Sequence, residues 1–217
     1  MGRRPGSFGV TRPSAPPLVV RRLGLSDYEA VWKDMRNFTE QRGPDTADEL
    51  WMLQHPPVYT RGLNCSMDPR RSGPIPVVQT DRGGQITYHG PGQIIAYVLI
   101  DIRRRGTGIK QLVSLLEQAV IDLLEEHGIA GTRRDGAPGV YVDSRKISAL
   151  GIRIRRGSSY HGLSLNVDMD LTPFDDIDPC GFHGLEVTQL SNLAVHADTG
   201  AVEDRLAERL WALLQDH

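Results

Sequence analysis

Apolar positions recur with the spacing of helices in three parts of the chain. The first stripe begins at Tyr28 and ends before Gly43. The clearest stripe covers residues 109–124 and stops at Gly128, and a third covers residues 202–214. Because apolar residues three and four positions apart share one face of a helix, each stripe predicts an amphipathic helix.

Between these stripes lie short apolar runs that have the length of β-strands. They cover residues 18–23, 49–53, 77–80, 86–88, 94–100, 139–142, 146–154 and 160–167. The run 94–100 is almost continuously apolar, which is typical of a strand buried on both faces. Residues 60–76 hold Gly, Asn, Pro and Arg and predict a loop. Because helices and strands are mixed without strict alternation, we expect an α/β (or α+β) domain with a mixed β-sheet flanked by helices.

The composition is that of an ordinary globular protein. It gives no overall electrostatic field that would attract nucleic acid or a membrane. The 217 residues carry a formal net charge of -2, and no apolar run reaches the roughly 18 residues of a membrane span. Arginine runs such as 103–105 are most simply solvated surface, with docking of an acidic partner as the alternative. Residues 1–17, rich in Gly, Pro, Ser and Arg, predict a flexible tail before a single domain at 18–217. Two cysteines are too few for a disulfide framework, so we expect reduced thiols and a cytoplasmic protein.

A glycine-rich segment at residues 82–93 combines backbone freedom with hydrogen-bonding side chains. It holds four glycines together with Arg82, Thr87 and His89. It matches neither a Walker A loop nor a dinucleotide fingerprint, because the required lysine and the third glycine are missing. Two tight turns would explain the glycines alone, but the polar side chains favour a ligand-binding loop.

Cys180 lies between Pro179 and Gly181, in a sequence typical of a tight turn. This setting suits an accessible thiol, whereas structural cysteines are usually buried among apolar side chains. His183 follows at metal-ligand spacing, but no further cysteine or histidine pair completes a zinc site. We therefore expect a reactive thiol and no metal.

Two strand segments add further candidates. Lys146 begins an apolar strand, where it is either a satisfied edge residue or a proton-transfer group that faces a cleft. His161 is followed by Gly162 inside a strand, which predicts a bulge or a close approach of two backbones. The simplest alternative is a strand histidine bonded to a neighbouring carbonyl group.

Together these segments resemble the octanoyltransferase family, the lipoyl(octanoyl) transferases. The likeness begins at about Val19, and its motifs follow the family's order at residues 55–62, 82–93, 146–151, 161–166 and 179–181. It implies the catalytic fold shared by biotin and lipoate protein ligases. It also implies octanoyl transfer from octanoyl-acyl carrier protein to a lysine of a lipoyl domain, the first step of protein lipoylation. The implied reaction needs neither ATP nor a metal, since the donor carries phosphopantetheine, and the implied acceptors are lipoyl domains of 2-oxoacid dehydrogenase complexes and the glycine cleavage H protein.

The resemblance also implies roles for individual residues. Cys180 corresponds to the nucleophile that forms an acyl thioester, and Lys146 corresponds to the basic partner of that thiol. The apolar side chains of Ile147, Leu150 and Leu163 are expected to line a tunnel for the octyl chain. The positions that match the family's acyl-binding segments are Arg82, Gly83, Gly84, Gln85, Ile86, Thr87, Tyr88, His89, Ala149, Leu150, Gly151, Gly162, Leu163 and Ser164.

Three other functions stay open at this point. An ATP-dependent lipoate or biotin ligase of the same fold would make an acyl-adenylate and would not need Cys180. A cysteine–histidine hydrolase would use His89, His161 or His183 as its base. A non-catalytic module would bind the acyl group or its carrier protein without any use of the thiol.

Overall fold

The computed structural model describes residues 17–63, 65, 69, 73–178, 184–193 and 198–215. In chain order these residues form β1 (Leu18–Leu25), α1 (Tyr28–Gln41), β2 (Asp48–Gln54), β3 (Val58–Arg61), β4 (Val77–Gln79), β5 (Ile86–His89), β6 (Gln93–Leu99), α2 (Ile102–Arg105), α3 (Ile109–Glu126), β7 (Gly139–Val142), β8 (Arg145–Arg155), β9 (Ser158–Asn166) and α4 (Thr199–Gln215). Short 3-10 helices lie at Thr172–Asp176 and Leu190–Leu193. Cys180 and residues 1–16 of the expected tail lie outside the described residues.

The three predicted helices are confirmed, and each predicted strand overlaps an observed one. Besides the two 3-10 helices, one strand and one α-helix are missing from the prediction. β3 lies partly in the stretch predicted as a loop, because its four residues follow two prolines and are too few to show a period. α2 is a single turn capped by the carboxylate of Asp101, which accepts the N–H groups of Arg103 and Arg104. Gly106 ends this turn in the left-handed conformation.

The strands form two sheets, and the large one is mixed as predicted. Its strand order is β1-β2-β6-β9-β8-β7, with β1 parallel to β2 and every other neighbouring pair antiparallel. The small sheet has the order β4-β3-β5, with β3 parallel to β4 and antiparallel to β5. All residues of β6 are buried, which confirms it as a central strand.

Helices pack on both faces of the large sheet. α3 and α4 cover a core that contains Leu116, Val120 and Leu206. α1 covers the opposite face through Met35, which packs with Trp51 of β2. None of the helices in the described ranges is long and apolar enough to cross a membrane.

Asp48 at the start of β2 is the centre of a buried cluster of ion pairs that connects several elements. Its carboxylate is fully buried and accepts hydrogen bonds from the guanidinium groups of Arg42, Arg104 and Arg105. Arg105 also donates to the carbonyl of Leu214, so the same cluster holds the end of α4. The reading of residues 103–105 as solvated surface is therefore wrong at Arg105, because a buried carboxylate draws its guanidinium inward.

Replacement of Asp48 by Asn should lower the free energy of unfolding by about 3–5 kcal/mol, because it leaves buried guanidinium groups without their counter-charge. Guanidinium chloride denaturation followed by circular dichroism measures this loss. Glu40→Gln is the matched control, since Glu40 forms an exposed pair with Arg155 at 3.0 Å and should cost less than about 1 kcal/mol. Equal effects of the two substitutions would contradict the assignment of Asp48 as the buried anchor.

Candidate active site

A cavity lies between the small sheet and the face of the large sheet that carries α1. Its lining comes from the loop before β5, from β5 itself, and from β6, β8 and β9. The empty space, including the open mouth, measures about 720 Å³. The sequence-predicted site residues that line it are Arg82, Gly84, Gln85, Ile86, Thr87, His89, Lys146, Ala149, Leu150, Gly151, Gly162, Leu163 and Ser164. The fold therefore brings three separate sequence segments to one place.

Three other described residues from the prediction, Gly83, Tyr88 and Ile147, are not part of this lining. Gly83 donates its N–H to the carbonyl of Ile152 at 3.2 Å, and the Tyr88 ring packs edge-on against Phe174. The expectation for Ile147 is wrong, because this side chain is buried in the core with α3 and α4. Cys180 lies outside the described residues.

Two glycines on neighbouring strands allow backbones to approach closely at the cavity. Gly151 of β8 and Gly162 of β9 are directly opposite each other, and both line the cavity. A Cβ atom at Gly162 would lie 1.9 Å from the carbonyl oxygen of Ala96, and one at Gly151 would lie 2.9 Å from that of Gly83. The close backbone approach predicted at Gly162 is confirmed.

Lys146 is buried at the end of the cavity where β8 begins. Its ammonium donates to the carbonyl of Pro138 at 3.1 Å and lies 5.2 Å from the centre of the Tyr141 ring. Gly139 makes room for it, since a Cβ atom there would lie 2.7 Å from Cε of Lys146. The backbone of Lys146 bonds to residues 186 and 188 on either side of Val187. With only 3% of its surface exposed, Lys146 is a cavity residue and not a solvated edge residue.

A chain of side-chain hydrogen bonds links three of the predicted segments. The Gln93 amide nitrogen donates to Asn166 at 2.9 Å, and its carbonyl oxygen accepts from Nδ1 of His89 at 2.7 Å. Asn166 in turn donates to the carbonyl of Thr188 at 3.0 Å. The chain thus connects β5 and β6 with β9 and with the segment paired to Lys146.

Arg82 holds the glycine-rich loop against the small sheet. The buried guanidinium donates to the hydroxyl and the carbonyl oxygen of Thr60 and to the carbonyl of Gly83. These bonds let a charged side chain stay inside the protein, because they satisfy most of its donors. Arg82 therefore shapes the cavity wall as well as lining it.

His161 forms a dyad with Asp81 beside the cavity. Nε2 of His161 lies 3.0 Å from Oδ1 of Asp81, which also accepts from Trp32, while Tyr160 donates to the other carboxylate oxygen. Burial alone would raise the pKa of Asp81, but the hydrogen bonds from His161, Tyr160 and Trp32 outweigh it and hold this pKa well below its ordinary value. Asp81 is therefore a stable anion that orients the His161 ring. Among the described residues, no group of three or more His, Cys, Asp or Glu side chains could hold a metal ion.

Comparison with known proteins identifies the family of this fold and cavity. Residues 27–211 match the family described as the lipoyl protein ligase A/B catalytic domain. The chain belongs to this family. An octanoyltransferase of Azoarcus sp. strain BH72 is 53% identical over 211 residues, which cover 96% of this chain and 93% of that protein.

Solved structures of the same fold are more distant in sequence. A bipartite lipoate protein ligase of Thermoplasma acidophilum, studied with its E2 lipoyl domain, has a TM-score of 0.69 at 14% identity and covers 93% of this chain and 84% of its own. A biotin protein ligase of Aquifex aeolicus in complex with biotin and ATP has a TM-score of 0.58 at 14% identity, with coverages of 92% and 71%. The predicted fold is confirmed, and membership of the lipoyl protein ligase family with octanoyltransferase relatives makes the chain an acyltransferase.

Several cavity residues of this family member are missing from the sequence prediction. They are Tyr28, Ile95, Tyr97, Asn166, Phe174 and Val187, together with His161, which the sequence indicated only as an alternative base. A tyrosine inside an apolar run is the signal that could have found Tyr97, because its buried hydroxyl needs a partner. That partner is Nε2 of His55 at 2.8 Å. Tyr28 carried no such signal, since it also fits the buried stripe of α1.

Replacement of Gly162 by Ala should destabilise the protein by about 3 kcal/mol, since the new methyl group meets the backbone of β6 and not a flexible side chain. Thermal and chemical denaturation measure the loss. Gly43→Ala is the control, because the nearest atom to its added Cβ would be 3.9 Å away. A Gly162→Ala variant as stable as the control would contradict the close approach.

Buried histidines predict a loss of stability in mild acid. Burial lowers the pKa of His55 to about 4 from an ordinary value of 6.5, while its Nδ1–H donates to the carbonyl of Ser26. Between pH 6.5 and 4 the unfolded chain therefore binds a proton that the folded chain does not, so the free energy of unfolding falls as the pH is lowered through this window. Burial, with the charge of His55, lowers the pKa of His89 to about 3, which adds to the same trend.

Denaturant titrations at a series of pH values measure this slope. His55→Gln should reduce it, because the variant removes one of the buried histidines whose pKa is lowered. His127→Gln, at an exposed position after α3, should leave it unchanged. A slope that is the same in all three proteins would contradict the assignment to His55.

Proposed function

We propose that this acyltransferase moves an octanoyl group from octanoyl-acyl carrier protein to a lysine of a lipoyl domain, through a thioester on Cys180. The observation that carries the proposal is a buried lysine at one end of a cavity with an apolar lining, in a chain 53% identical to an octanoyltransferase. An alkyl chain needs apolar walls, and a thioester chemistry needs a group that can hold and return a proton.

The cavity walls suit a saturated chain along most of their length. Apolar residues line it on β5, β6, β8 and β9 and on the 3-10 helix after β9, namely Ile86, Ile95, Leu150, Leu163 and Phe174. Burial of each methylene group contributes roughly 0.8 kcal/mol. These contacts would stabilise an octanoyl group without any charged partner for the chain itself.

Sequence connectivity supports the pairing of Cys180 with Lys146. Asp178, two residues before Cys180, and Gly184, four residues after it, line one surface groove with Arg145. Arg145 directly precedes Lys146, and Val187 forms a bridge with Lys146 itself. Both described ends of the segment that contains Cys180 therefore lie beside the lysine.

The first half-reaction is an exchange of thioesters. A free cysteine thiol with a pKa of about 8.5 is mostly protonated at neutral pH, and a neighbouring lysine can take its proton or stabilise the thiolate by charge. The Cys180 sulfur then bonds to the octanoyl carbonyl carbon, and the bond to the phosphopantetheine sulfur breaks. Protonated Lys146 returns the proton to the departing thiolate.

The second half-reaction moves the acyl group to nitrogen. The amine of the acceptor lysine attacks the carbonyl carbon, the bond to Cys180 breaks, and Lys146 accepts the amine proton. Because an amide is more stable than a thioester, the transfer runs downhill, and we propose that neither ATP nor a metal takes part. We propose lipoyl domains, such as those of 2-oxoacid dehydrogenases and the glycine cleavage H protein, as acceptors, since the Thermoplasma acidophilum ligase of the same fold was studied with an E2 lipoyl domain.

The described histidines are poorly placed to serve a cysteine hydrolase. Both ring nitrogens of His89 are engaged, Nδ1 with Gln93 and Nε2 with the hydroxyl of Thr60 at 3.4 Å. His161 pairs with Ile152, six residues along β8 from Lys146, which corresponds to about 20 Å of strand. This geometry favours transfer with Lys146 over hydrolysis with either histidine.

Intact-mass spectrometry after incubation with octanoyl-acyl carrier protein tests the proposal. We expect the mass to rise by one octanoyl group, hydroxylamine to remove it, and Cys180→Ala to abolish it. Cys65→Ala is the matched control, because Cys65 is the other cysteine of the chain, and it should still form the adduct. Absence of an adduct on the wild-type protein would overturn the thioester mechanism.

Two further experiments test the role of Lys146 and the rival function of an ATP-dependent ligase. Lys146→Gln should slow adduct formation by at least about 100-fold, the usual contribution of a positioned acid–base group, while circular dichroism stays unchanged. An unchanged rate would show that the lysine is structural. Transfer by Cys180→Ala that depends on ATP and free octanoate would instead favour a ligase, the activity of the ATP-bound biotin enzyme of this fold.

A further inference from the structure

Glu117 is an acidic residue on the buried face of α3. It shares this face with Leu116 and Val120, and only 7% of its surface is exposed. Glutamate side chains are almost never this buried unless their charge is paired. Glu117 is not among the residues that line the cavity. Its hydrogen bonds account for a carboxylate at this position.

Both carboxylate oxygens of Glu117 bind the stretch of chain that leads into β7. Oε1 accepts the backbone N–H of Gly139 at 3.0 Å, and Oε2 accepts from Nε of Arg133 at 3.2 Å. Arg133 also donates to the carbonyl of Ser114 and to the side chain of Gln118, so α3 holds it at two further points. The carboxylate thus has both a counter-charge and a fixed backbone donor.

The peptide group between Pro138 and Gly139 connects this carboxylate with Lys146. Its N–H donates to Glu117, and its carbonyl oxygen accepts from the Lys146 ammonium at 3.1 Å. The peptide is trans, like every peptide bond of the described residues, so its N–H and C=O groups point in opposite directions. A negative charge on one side and a positive charge on the other polarise the two hydrogen bonds in the same sense.

Gly139 leaves the room that this contact needs. A Cβ atom there would lie 2.5 Å from the carbonyl oxygen of Ser148 and 2.7 Å from Cε of Lys146. Its φ angle of +143° also lies outside the range that other residues readily adopt. Glycine therefore lets the backbone N–H reach Glu117 while the lysine side chain passes alongside.

We propose that Glu117 is a positioning residue for Lys146, which it holds through the Pro138–Gly139 peptide. The inference rests on the proposed function, in which Lys146 moves the protons of both half-reactions. Glu117 fixes the carbonyl group that orients the ammonium, and Arg133 keeps the carboxylate in place. The negative charge of Glu117 acts on the lysine through the same peptide.

Titration of Lys146 by nuclear magnetic resonance tests this connection without any substrate. The chain holds three lysines, Lys33, Lys110 and Lys146, so in protein labelled with ¹³C at the lysine Cε atoms the Lys146→Gln variant identifies the signal of interest. Glu117→Gln should move the midpoint of its titration to lower pH by about one pH unit, because loss of a nearby negative charge favours the neutral amine. Lys33 and Lys110 are exposed and serve as internal controls.

Arg133→Gln distinguishes this connection from a purely structural role. It breaks the same ion pair as Glu117→Gln but removes the positive member, so the Lys146 midpoint should move to higher pH. The shift should be smaller, since the Arg133 side chain is 40% exposed and solvent screens its charge. A structural role predicts shifts of the same sign in both variants, or no shift, and either result would overturn the inference. If Glu117→Gln does not fold, the sign in Arg133→Gln decides.

The control variant and the neighbouring charges keep this comparison clean. Glu125→Gln, at an exposed position of the same helix, should leave the midpoint unchanged. Other ionisable residues next to Lys146 are the same in every variant. Arg145 precedes it in β8, the centre of the Tyr141 ring lies 5.2 Å from the ammonium, and the Glu186 carbonyl accepts its backbone N–H. A shift in Glu125→Gln equal to that in Glu117→Gln would overturn the inference.

The rate of adduct formation shows whether the connection serves the reaction. Glu117→Gln keeps an acceptor for the Gly139 N–H, so its pH–rate profile should move to lower pH with the maximal rate constant reduced less than about threefold. Glu117→Ala releases the peptide and should lower this rate constant about tenfold. The donor concentration at half-saturation should not change, because Glu117 lies outside the cavity lining. A wild-type rate constant in Glu117→Ala would overturn the inference.

The two measurements separate this inference from the proposed function. Absence of an adduct on the wild-type protein would refute the function, whereas the titration of Lys146 needs no turnover and still reports on Glu117. Adduct formation by the wild type, with an unchanged Lys146 midpoint in Glu117→Gln, would overturn the inference alone.

Discussion

Two glycines opposite each other on β8 and β9 let the backbones at the cavity approach more closely than side chains would allow. Gly151 and Gly162 face each other across β8 and β9, and the β6 backbone lies so close to Gly162 that even a methyl group would collide with it. The three central strands can therefore approach closely beside the open space of the cavity. The glycine-rich loop closes that space, and the Arg82 guanidinium holds the loop in place. Close backbone contacts thus fix the strands around the cavity, and residues such as Ile95 and Phe174 complete its lining.

Much of this arrangement could be predicted from the sequence. Long amphipathic helices such as α3 show their period directly, and glycines next to polar residues indicated three of the segments that meet at the cavity. The close approach at Gly162 follows from a glycine inside a strand. In each case the local sequence and the final fold call for the same conformation.

Other features depend on tertiary contacts that local sequence does not reveal. Nothing near Arg105 indicates that its charge will be buried, because its counter-ion, Asp48, is 57 positions away. Tyr28 fits the apolar stripe of α1 equally well as a core residue or as a cavity wall. Lys146 could have been an edge lysine, and only the addition of β7 beyond β8 places it inside the sheet. Helix and strand propensities and the hydrophobic periodicity of the sequence do not reveal such partners.

The backbone of Lys146 has a structural role that is separate from the role of its ammonium group. Its N–H and C=O groups hold residues 186 and 188 by hydrogen bonds of 2.8 and 2.9 Å, and every amino acid except proline offers the same two groups. Substitutions of this side chain should therefore leave the following segment of the chain in register. The lysine position thus separates the hydrogen bonds that assemble this segment from the ammonium group to which we assign the proton transfer, so one substitution would remove the second and leave the first in place.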